Sequence, residues 1–170
     1  DNVANAIYSF VWNEYCDWGV ELAKVRLADP RLPAEAREAT WWTLVEVLDT
    51  YLRLLHPVMP FVTEALWAGL PHRASDPGLL IVARWPAAGA RDESAERDIA
   101  SLVALMTEIR TARATARLPA ADWLETLVYV PRDLGPTFEA LRPAIERLAR
   151  ARPLHRELTP EALEAASRPG

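Results

Sequence analysis

Apolar residues recur at helical spacing along the start of the chain. Residues 3–27 follow a 3.6-residue period with a broad apolar face, which predicts one long helix in the middle of a bundle. Asp29-Pro30 predicts the end of this helix, because a residue that precedes proline disfavours helical geometry. Its apolar positions are Ile7, Phe10, Val11, Trp18, Leu22 and Val25, with Tyr8, Trp12 and Tyr15 as a second, aromatic stripe.

The most regular apolar stripe predicts a second helix from Pro33 to about Leu55. Pro57 cannot continue the hydrogen-bond ladder of this helix, and Pro60 suits the first turn of a third, shorter helix over residues 61–70. The stripe of the second helix consists of Trp41, Leu44, Val45, Leu48, Tyr51, Leu52 and Leu55.

Proline and glycine then become frequent, and residues 72–92 read as loops. Within them, residues 79–83 form a short apolar run, which we expect to be extended and to pack along the bundle. This change of character predicts a boundary near residue 90. We therefore expect a helical domain over residues 1–90 and a second unit over residues 91–170.

The second unit alternates helical and strand patterns. An amphipathic helix is predicted from Ser94 to about Arg117, and residues 123–130 alternate as a strand does. Another helix follows Pro136, and residues 154–158 predict a second strand. The expected fold class is mainly α, a helical bundle followed by a partial small α/β domain. Because two strands make a poor independent sheet, we expect this unit to be incomplete and the chain to be truncated.

Composition removes several classes of protein. The formal charge of −5 argues against binding nucleic acid by bulk charge, and a single cysteine, Cys16, excludes an internal disulfide. No apolar run is long enough to span a membrane, no signal peptide is evident, and a cytoplasmic protein is the default expectation. The cations are eighteen arginines and one lysine, Lys24. A GC-rich genome is the favoured explanation of this bias, ahead of function.

The common catalytic and metal-binding motifs are absent from the sequence. Lys24 lies in no glycine-rich loop, the six glycines are scattered, and the three histidines lack metal-ligand spacing. Cys16 lies in a helical pattern, where packing is the favoured role. We therefore expect no catalytic residue and no metal site in this chain.

Two sets of charged residues could contact nucleic acid. Arg110, Arg113 and Arg117 share one helix face, and five arginines crowd residues 142–156 against Glu146 alone. A solvated face with salt bridges is the favoured reading of these arginines from spacing alone.

Glu14, Asp17 and Glu21 form an acidic stripe on the first helix, flanked by Asn13 and Lys24. These carboxylates could accept hydrogen bonds from base amino groups, or could equally pair with Arg53 or Arg84. Four tryptophans are expected in the core rather than stacked on bases: Trp12, Trp18, Trp41 and Trp67.

Two segments carry a specific resemblance. Residues 8–24, Tyr-Ser-Phe-Val-Trp-Asn-Glu-Tyr-Cys-Asp-Trp-Gly-Val-Glu-Leu-Ala-Lys, and residues 56–67, His-Pro-Val-Met-Pro-Phe-Val-Thr-Glu-Ala-Leu-Trp, resemble the valyl-tRNA synthetase family, and Trp85-Pro86 closes the match. The resemblance weakens through residues 109–113. Gly19 departs from an aromatic position of the family, and Thr115 or its neighbours replace an expected glutamate.

The resemblance implies a carboxy-terminal fragment with most of a helical anticodon-binding domain. It implies a parent ligase that joins valine to tRNA(Val) using ATP and Mg, which the absent catalytic domain would bind. The fragment itself would need no cofactor and would contact neither DNA nor membrane. Candidate tRNA contacts are Arg110, Arg113 and Arg117, then Lys24 and Arg26, with Asn13 and Glu14 as weaker candidates for base contacts. The alternative is a helical protein-interaction module without RNA contact.

Overall fold

The computed structural model describes residues 2–166, without the side chains of residues 3, 4 and 166. The chain folds as two compact units, Asp1–Ala90 and Arg91–Gly170. The first unit contains α1 (Asn2–Phe10), a π-helical segment (Val11–Val20), α2 (Glu21–Leu27), α3 (Ala34–Leu55), α4 (Pro60–Trp67) and a 3₁₀ turn (Leu80–Val82). The second contains α5 (Glu93–Thr115), β1 (Leu124–Tyr129), α6 (Gly135–Ala149), β2 (Ala151–Glu157) and α7 (Pro160–Ala166). The predicted fold class, mainly helical with a small α/β unit, is confirmed.

The first predicted helix is continuous, but its middle ten residues are π-helical. Phe10 and Glu21, which flank this segment, both keep right-handed helical backbone angles, so the helix does not break there. A π-helix bonds each N–H to the carbonyl five residues earlier, which rotates side chains away from a 3.6-residue stripe. The sequence pattern did not predict this segment.

The four tryptophans expected in the core divide into three groups. Trp67 is 1% exposed and is a core residue, as predicted, and Trp18 is half-buried. The prediction is wrong for Trp12 and Trp41, which are 58% and 49% exposed. Trp12 lies in the π-helical segment, where the assumed period fails. Trp41 lies on the edge of the α3 stripe, and amphipathic spacing indicates direction but not how far neighbours cover a side chain.

The core of the first unit is built around Leu52, Trp67 and Leu80, each almost completely buried. They come from α3, α4 and the 3₁₀ turn, so this cluster joins three elements. Burial of side chains of this size contributes about 2 kcal/mol each. Of the run over residues 79–83, Leu80 and Ala83 pack on the bundle as expected, whereas Leu79, Ile81 and Val82 are more than half exposed. The predicted extended conformation is wrong for Leu80–Val82, which form a turn of 3₁₀ helix.

The second unit is a β-α-β arrangement with helices added at both ends. β1 and β2 pair in parallel, with Leu124 opposite Ala151 and Thr126 opposite Leu154. α6 connects the strands, packs against α5 and β2, and buries Phe138 and Ile145 completely. The predicted helices and both strands are confirmed, although β2 begins three residues before the predicted Leu154. α7, which contacts both strands, was not predicted.

Candidate functional site

In residues 56–67, one of the two segments that carry the resemblance, polar side chains bond to one another and to the backbone of the same segment. Thr63 is 0% exposed, and its Oγ1 lies 2.8 Å from the carbonyl oxygen of Met59 and 2.8 Å from Nδ1 of His56. Oγ1 of Thr63 and Nδ1 of His56 share a hydrogen bond in which His56 donates or accepts according to its tautomer. His56 therefore has a structural contact within this segment.

Glu64 connects α4 to the 3₁₀ turn. Its Oε1 accepts from the backbone N–H of Leu80 at 2.7 Å and its Oε2 from that of Ile81 at 3.1 Å. The first N–H groups of any helical turn lack partners inside the turn, and a carboxylate satisfies them well. Glu64 therefore explains why residues 80–82 are helical rather than extended.

Trp67 ends the segment and connects α4 to α3. Its Nε1 donates to Oδ1 of Asp49 at 2.6 Å, and Asp49 also accepts from Nε of Arg53 at 2.7 Å. This hydrogen bond from Arg53 to Asp49 raises the pKa of the arginine above its usual value. Nη2 of Arg53 lies 3.7 Å from Asp76, and its Nη1 donates to the carbonyl of Arg84 at 3.2 Å. Residues 56–67 therefore have a structural role, because they connect α3, α4 and the loops that follow.

A groove of about 270 Å³ lies beside this network. Its carboxylates are engaged, since Asp49 pairs with Arg53 and Glu46 pairs with Arg73 at 2.5 Å. The sequence pattern gave no sign of this groove. Its other lining residues include Trp42, Trp85 and Pro86.

The candidate contact residues of the first unit differ in exposure and in their hydrogen-bond partners. Asn13 and Glu14 are exposed on the π-helical segment. Lys24 is also exposed and pairs with Glu21 at 2.5 Å. Nε of Arg26 donates to Oγ1 of Thr40 at 3.3 Å, which connects α2 to α3.

One of the two alternatives for the acidic stripe of the first helix, pairing with Arg53 or Arg84, is not what the structure shows. Arg53 pairs with Asp49 and Asp76 rather than with this stripe, and the recorded partner of Glu21 is Lys24. Glu14 and Asp17 are both exposed. The end of the stripe nearest Asn13 is therefore open to solvent.

Two of the three α5 candidates hold the end of α6. Nε and Nη2 of Arg110 donate to the carbonyl of Leu148 at 3.1 and 2.9 Å. Arg113 donates to the carbonyls of Arg150, Pro119 and Asp122 at 3.1, 2.9 and 2.8 Å. The bonds from Arg110 satisfy the carbonyl of Leu148, which the last turn of α6 leaves without a partner inside the helix. Arg113 also fixes the loop that follows α5, where Arg117 lies exposed.

The five arginines between residues 142 and 156 have two kinds of role. Arg142 pairs with Glu139 and donates to the carbonyl of Leu154 at 2.7 Å. Arg156 donates to the carbonyls of Val130 and Pro131, and its guanidinium fills the space where a Cβ on Gly135 would lie. Both are structural. The other three are exposed: Arg147, Arg150 and Arg152.

The sequence pattern identified Trp123 only as the first residue of a predicted strand. Its indole ring is 42% exposed, and two guanidinium groups lie over it. The distances from the ring centroid are 5.1 Å to Cζ of Arg150 and 4.7 Å to Cζ of Arg152, within the range of cation–π attraction. Alternation along β1 could not reveal this, because Arg150 and Arg152 come from the far end of α6 and the start of β2.

Two further properties concern the described part of the chain. Among residues 2–166, the structure contains no group of three or more His, Cys, Asp or Glu side chains that could hold a metal ion. Over the same residues, every helix is too short or too polar to cross a lipid bilayer.

Comparison with known proteins assigns the family. Residues 1–128 match the family described as the anticodon-binding domain of tRNA ligase, and the chain belongs to this family. The match extends beyond the first unit through α5 and most of β1. It confirms the resemblance that residues 8–24 and 56–67 carried.

Several curated relatives are valine–tRNA ligases. The protein from Zymomonas mobilis is 39% identical over 170 residues, which cover 97% of this chain and 19% of the relative. The protein from Lactiplantibacillus plantarum is 39% identical over 152 residues, 88% of this chain and 16% of the relative. That from Cereibacter sphaeroides is 43% identical over 122 residues, 71% of this chain and 12% of the relative. The chain thus spans less than a fifth of the length of these relatives.

Proposed function

We propose that this chain binds tRNA(Val) as part of a valine–tRNA ligase, the enzyme that joins valine to its tRNA using ATP. The observation that carries the proposal is the family match over residues 1–128. Relatives of that name align with most of the chain and add the amino-acid assignment. The two units would bind and orient the tRNA on its anticodon side, in the cytoplasm.

The chemistry of the ligase would belong to other parts of the polypeptide. The sequence has no His-x-Gly-His spacing, and one lysine cannot form the Lys-Met-Ser-Lys-Ser segment of the family. ATP and Mg would therefore be bound by the catalytic domain, which is the second proposed partner. The exposed apolar side chains of α4, Phe61, Val62 and Leu66, support a contact with the remainder of such a ligase. We expect the chain by itself to form no valyl-adenylate.

The proposed tRNA contacts divide by chemistry. Arginine and lysine position a nucleic acid through phosphates, whereas carboxylates and amides can read the edges of unpaired bases. Arg110, Arg113, Arg117, Lys24 and Arg26 are the proposed phosphate contacts, and Asn13 and Glu14 are the proposed base contacts. Asn13, Glu14 and Arg117 are exposed, which supports their assignment. Arg110 and Arg113 already donate to carbonyls, so RNA would have to share or replace those bonds.

A binding titration tests the proposal. Fluorescence anisotropy would compare a tRNA(Val) transcript with one that carries a changed anticodon, over a series of salt concentrations. We expect tighter binding to the cognate transcript, and we expect Asn13→Ala with Glu14→Ala to reduce that preference without changing the salt slope. Replacing Arg110, Arg113 and Arg117 by Ala should lower the slope by up to about three phosphate contacts.

The alternative function is a helical protein-interaction module without RNA contact. The exposed apolar face of α4 is the observation that favours it, because contiguous apolar surface commonly marks a protein interface. The same titration decides between them. Equal and negligible binding of both transcripts would favour the interaction module and contradict tRNA binding.

A further inference from the structure

Arginines from residues 110–117 and from residues 147–152 lie at the same end of the second unit. Arg110 donates to the carbonyl of Leu148, and Arg113 to that of Arg150, so the last turns of α5 lie beside the last turn of α6. The N–H of Leu124 also donates to the carbonyl of Arg150 at 3.1 Å, which brings the start of β1 to the same place. Residues that are far apart in sequence thus form one surface.

Besides Arg110, which is exposed, four further exposed arginines and one aromatic residue belong to these turns and loops. We call them the arginine–tryptophan cluster: Arg117, Trp123, Arg147, Arg150 and Arg152. Trp123 holds two of the guanidinium groups over its indole ring, and Glu146 pairs with Arg152 at 3.0 Å. The cluster is thus partly ordered before any ligand binds, which lowers the entropy that a ligand would have to offset.

The balance of charge at this end is opposite to that of the chain. Six arginines belong to these turns and loops, including Arg110 and Arg113, against four acidic residues, Glu108, Asp122, Glu125 and Glu146. The formal charge of the whole chain is −5. A positive surface on an acidic protein favours a polyanion at that place rather than over the whole molecule.

The backbone at the cluster is strained at two arginines. Among residues 2–166, Arg117 and Arg150 are the non-glycine residues with positive φ, at 54° and 53°. They follow the ends of α5 and α6, where glycine is the usual residue because it lacks a Cβ. A side chain in this left-handed region costs about 1 kcal/mol or more. Both positions therefore carry a guanidinium at the expense of stability, and strain of this kind concentrates at functional sites.

We propose that the arginine–tryptophan cluster binds the sugar–phosphate backbone of the tRNA. The inference rests on the proposed function and extends it to Trp123 and to the exposed arginines of residues 142–156, for which spacing alone favoured a solvated face with salt bridges. The guanidinium groups come from the end of α6, the start of β2 and the loop after α5, and two of them lie over one indole ring. Several cations at one end of the unit suit a chain of phosphates better than a single anion.

The test uses a pair of glycine substitutions and a charge-matched control. Arg117→Gly with Arg150→Gly removes two guanidinium groups and relieves the left-handed strain, so folding should be retained or improved. The control is Arg97→Ala with Arg132→Ala. These arginines are exposed near the other end of the unit, where Thr137 of α6 donates to Asp98 of α5 at 2.6 Å.

Binding of the tRNA(Val) transcript would be measured against salt for the wild-type chain and both double variants. We expect the glycine pair to weaken binding by about tenfold and to lower the salt slope by about 1 to 2, with an unfolding temperature no lower than that of the wild type. The control pair should change the affinity by less than about twofold. This combination of results supports the cluster.

The remaining outcomes separate the two claims. If the wild-type chain binds and the glycine pair keeps its affinity and slope, the cluster is overturned while tRNA binding stands. If both pairs weaken binding equally, a general effect of charge replaces the cluster. If the wild-type chain does not bind tRNA at any salt concentration, the proposed function fails, and the cluster fails with it.

Discussion

The indole Nε1 of Trp67 donates a 2.6 Å hydrogen bond to the carboxylate of Asp49, eighteen positions earlier in the chain. Trp67 is 1% exposed, and its ring centroid lies 4.0 Å from that of His72. The same carboxylate orients Arg53, whose Nη1 reaches the carbonyl of Arg84. One acidic side chain therefore joins α3, α4 and the following loops.

Replacing Asp49 by Ala should destabilise the first unit by about 2–4 kcal/mol. The substitution leaves the buried indole N–H and the guanidinium of Arg53 without their acceptor, which costs more than the net value of the bonds themselves. Urea unfolding monitored by tryptophan fluorescence would measure the change. Glu38→Ala, at an exposed carboxylate of the same helix, is the matched control and should change stability by less than about 0.5 kcal/mol. Equal effects of the two substitutions would contradict the role given to Asp49.

Glu64→Ala should release the 3₁₀ turn from α4. The two N–H groups of Leu80 and Ile81 would lose their acceptors, so their amide hydrogens should exchange faster by about tenfold or more. Glu64→Gln keeps one carbonyl acceptor and should protect one of the two amides. Hydrogen exchange followed by NMR would resolve both positions. Unchanged exchange at Leu80 and Ile81 in the alanine variant would show that Glu64 does not order the turn.

Thr63→Val should cost about 1–3 kcal/mol although the two side chains have nearly the same shape. Valine fills the fully buried site but leaves Nδ1 of His56 without its hydrogen-bond partner. Thr63→Ser is the control, since it keeps the hydroxyl and loses one methyl group. Thermal unfolding of both variants would compare these terms. A valine variant as stable as the wild type would mean that the hydroxyl is dispensable.

Asp29 predicts a local dependence on pH. Its hydrogen bond with the Arg31 side chain lowers the pKa of Asp29 from 3.8 to about 2. Because the pKa is lowered by folding, the stability it contributes is present above pH 3.8 and is lost as the pH falls toward 2. Arg31→Ala should return the midpoint toward 3.8, as measured by NMR of the carboxyl carbon. A midpoint that stays near 2 in this variant would exclude Arg31 as the cause.

Periodicity predicted most of the helices and both strands because each depends on local patterns of burial. α3 began and ended close to where Pro33 and Pro57 indicated, since proline acts on its own backbone and its neighbours. The pattern failed at residues 79–83, where an apolar run is helical because Glu64 binds its N–H groups. It also failed at Trp12, since a π-helical segment does not follow the period that was assumed.

The candidate contact residues show a similar division. Spacing predicted that Arg110, Arg113 and Arg117 share one helix face, and it favoured a salt-bridged surface for the later arginines. The shared face is wrong for Arg117, because α5 ends at Thr115 and Arg117 has a φ of 54°. Arg142 and Arg152 do pair with glutamates, as that interpretation held. Spacing could not show that Arg110 and Arg113 bond to carbonyls of α6, because sequence separation of about 37 residues carries no information on contact.

By itself, the sequence determined the helical class and the family, since these depend on local propensities and on the residue order of two segments. The tertiary structure decided which polar groups satisfy one another and which cations remain exposed. Those outcomes depend on distances between elements. Only folding brings Trp123, Arg150 and Arg152 together, or places Asp49 within hydrogen-bond distance of the indole N–H of Trp67.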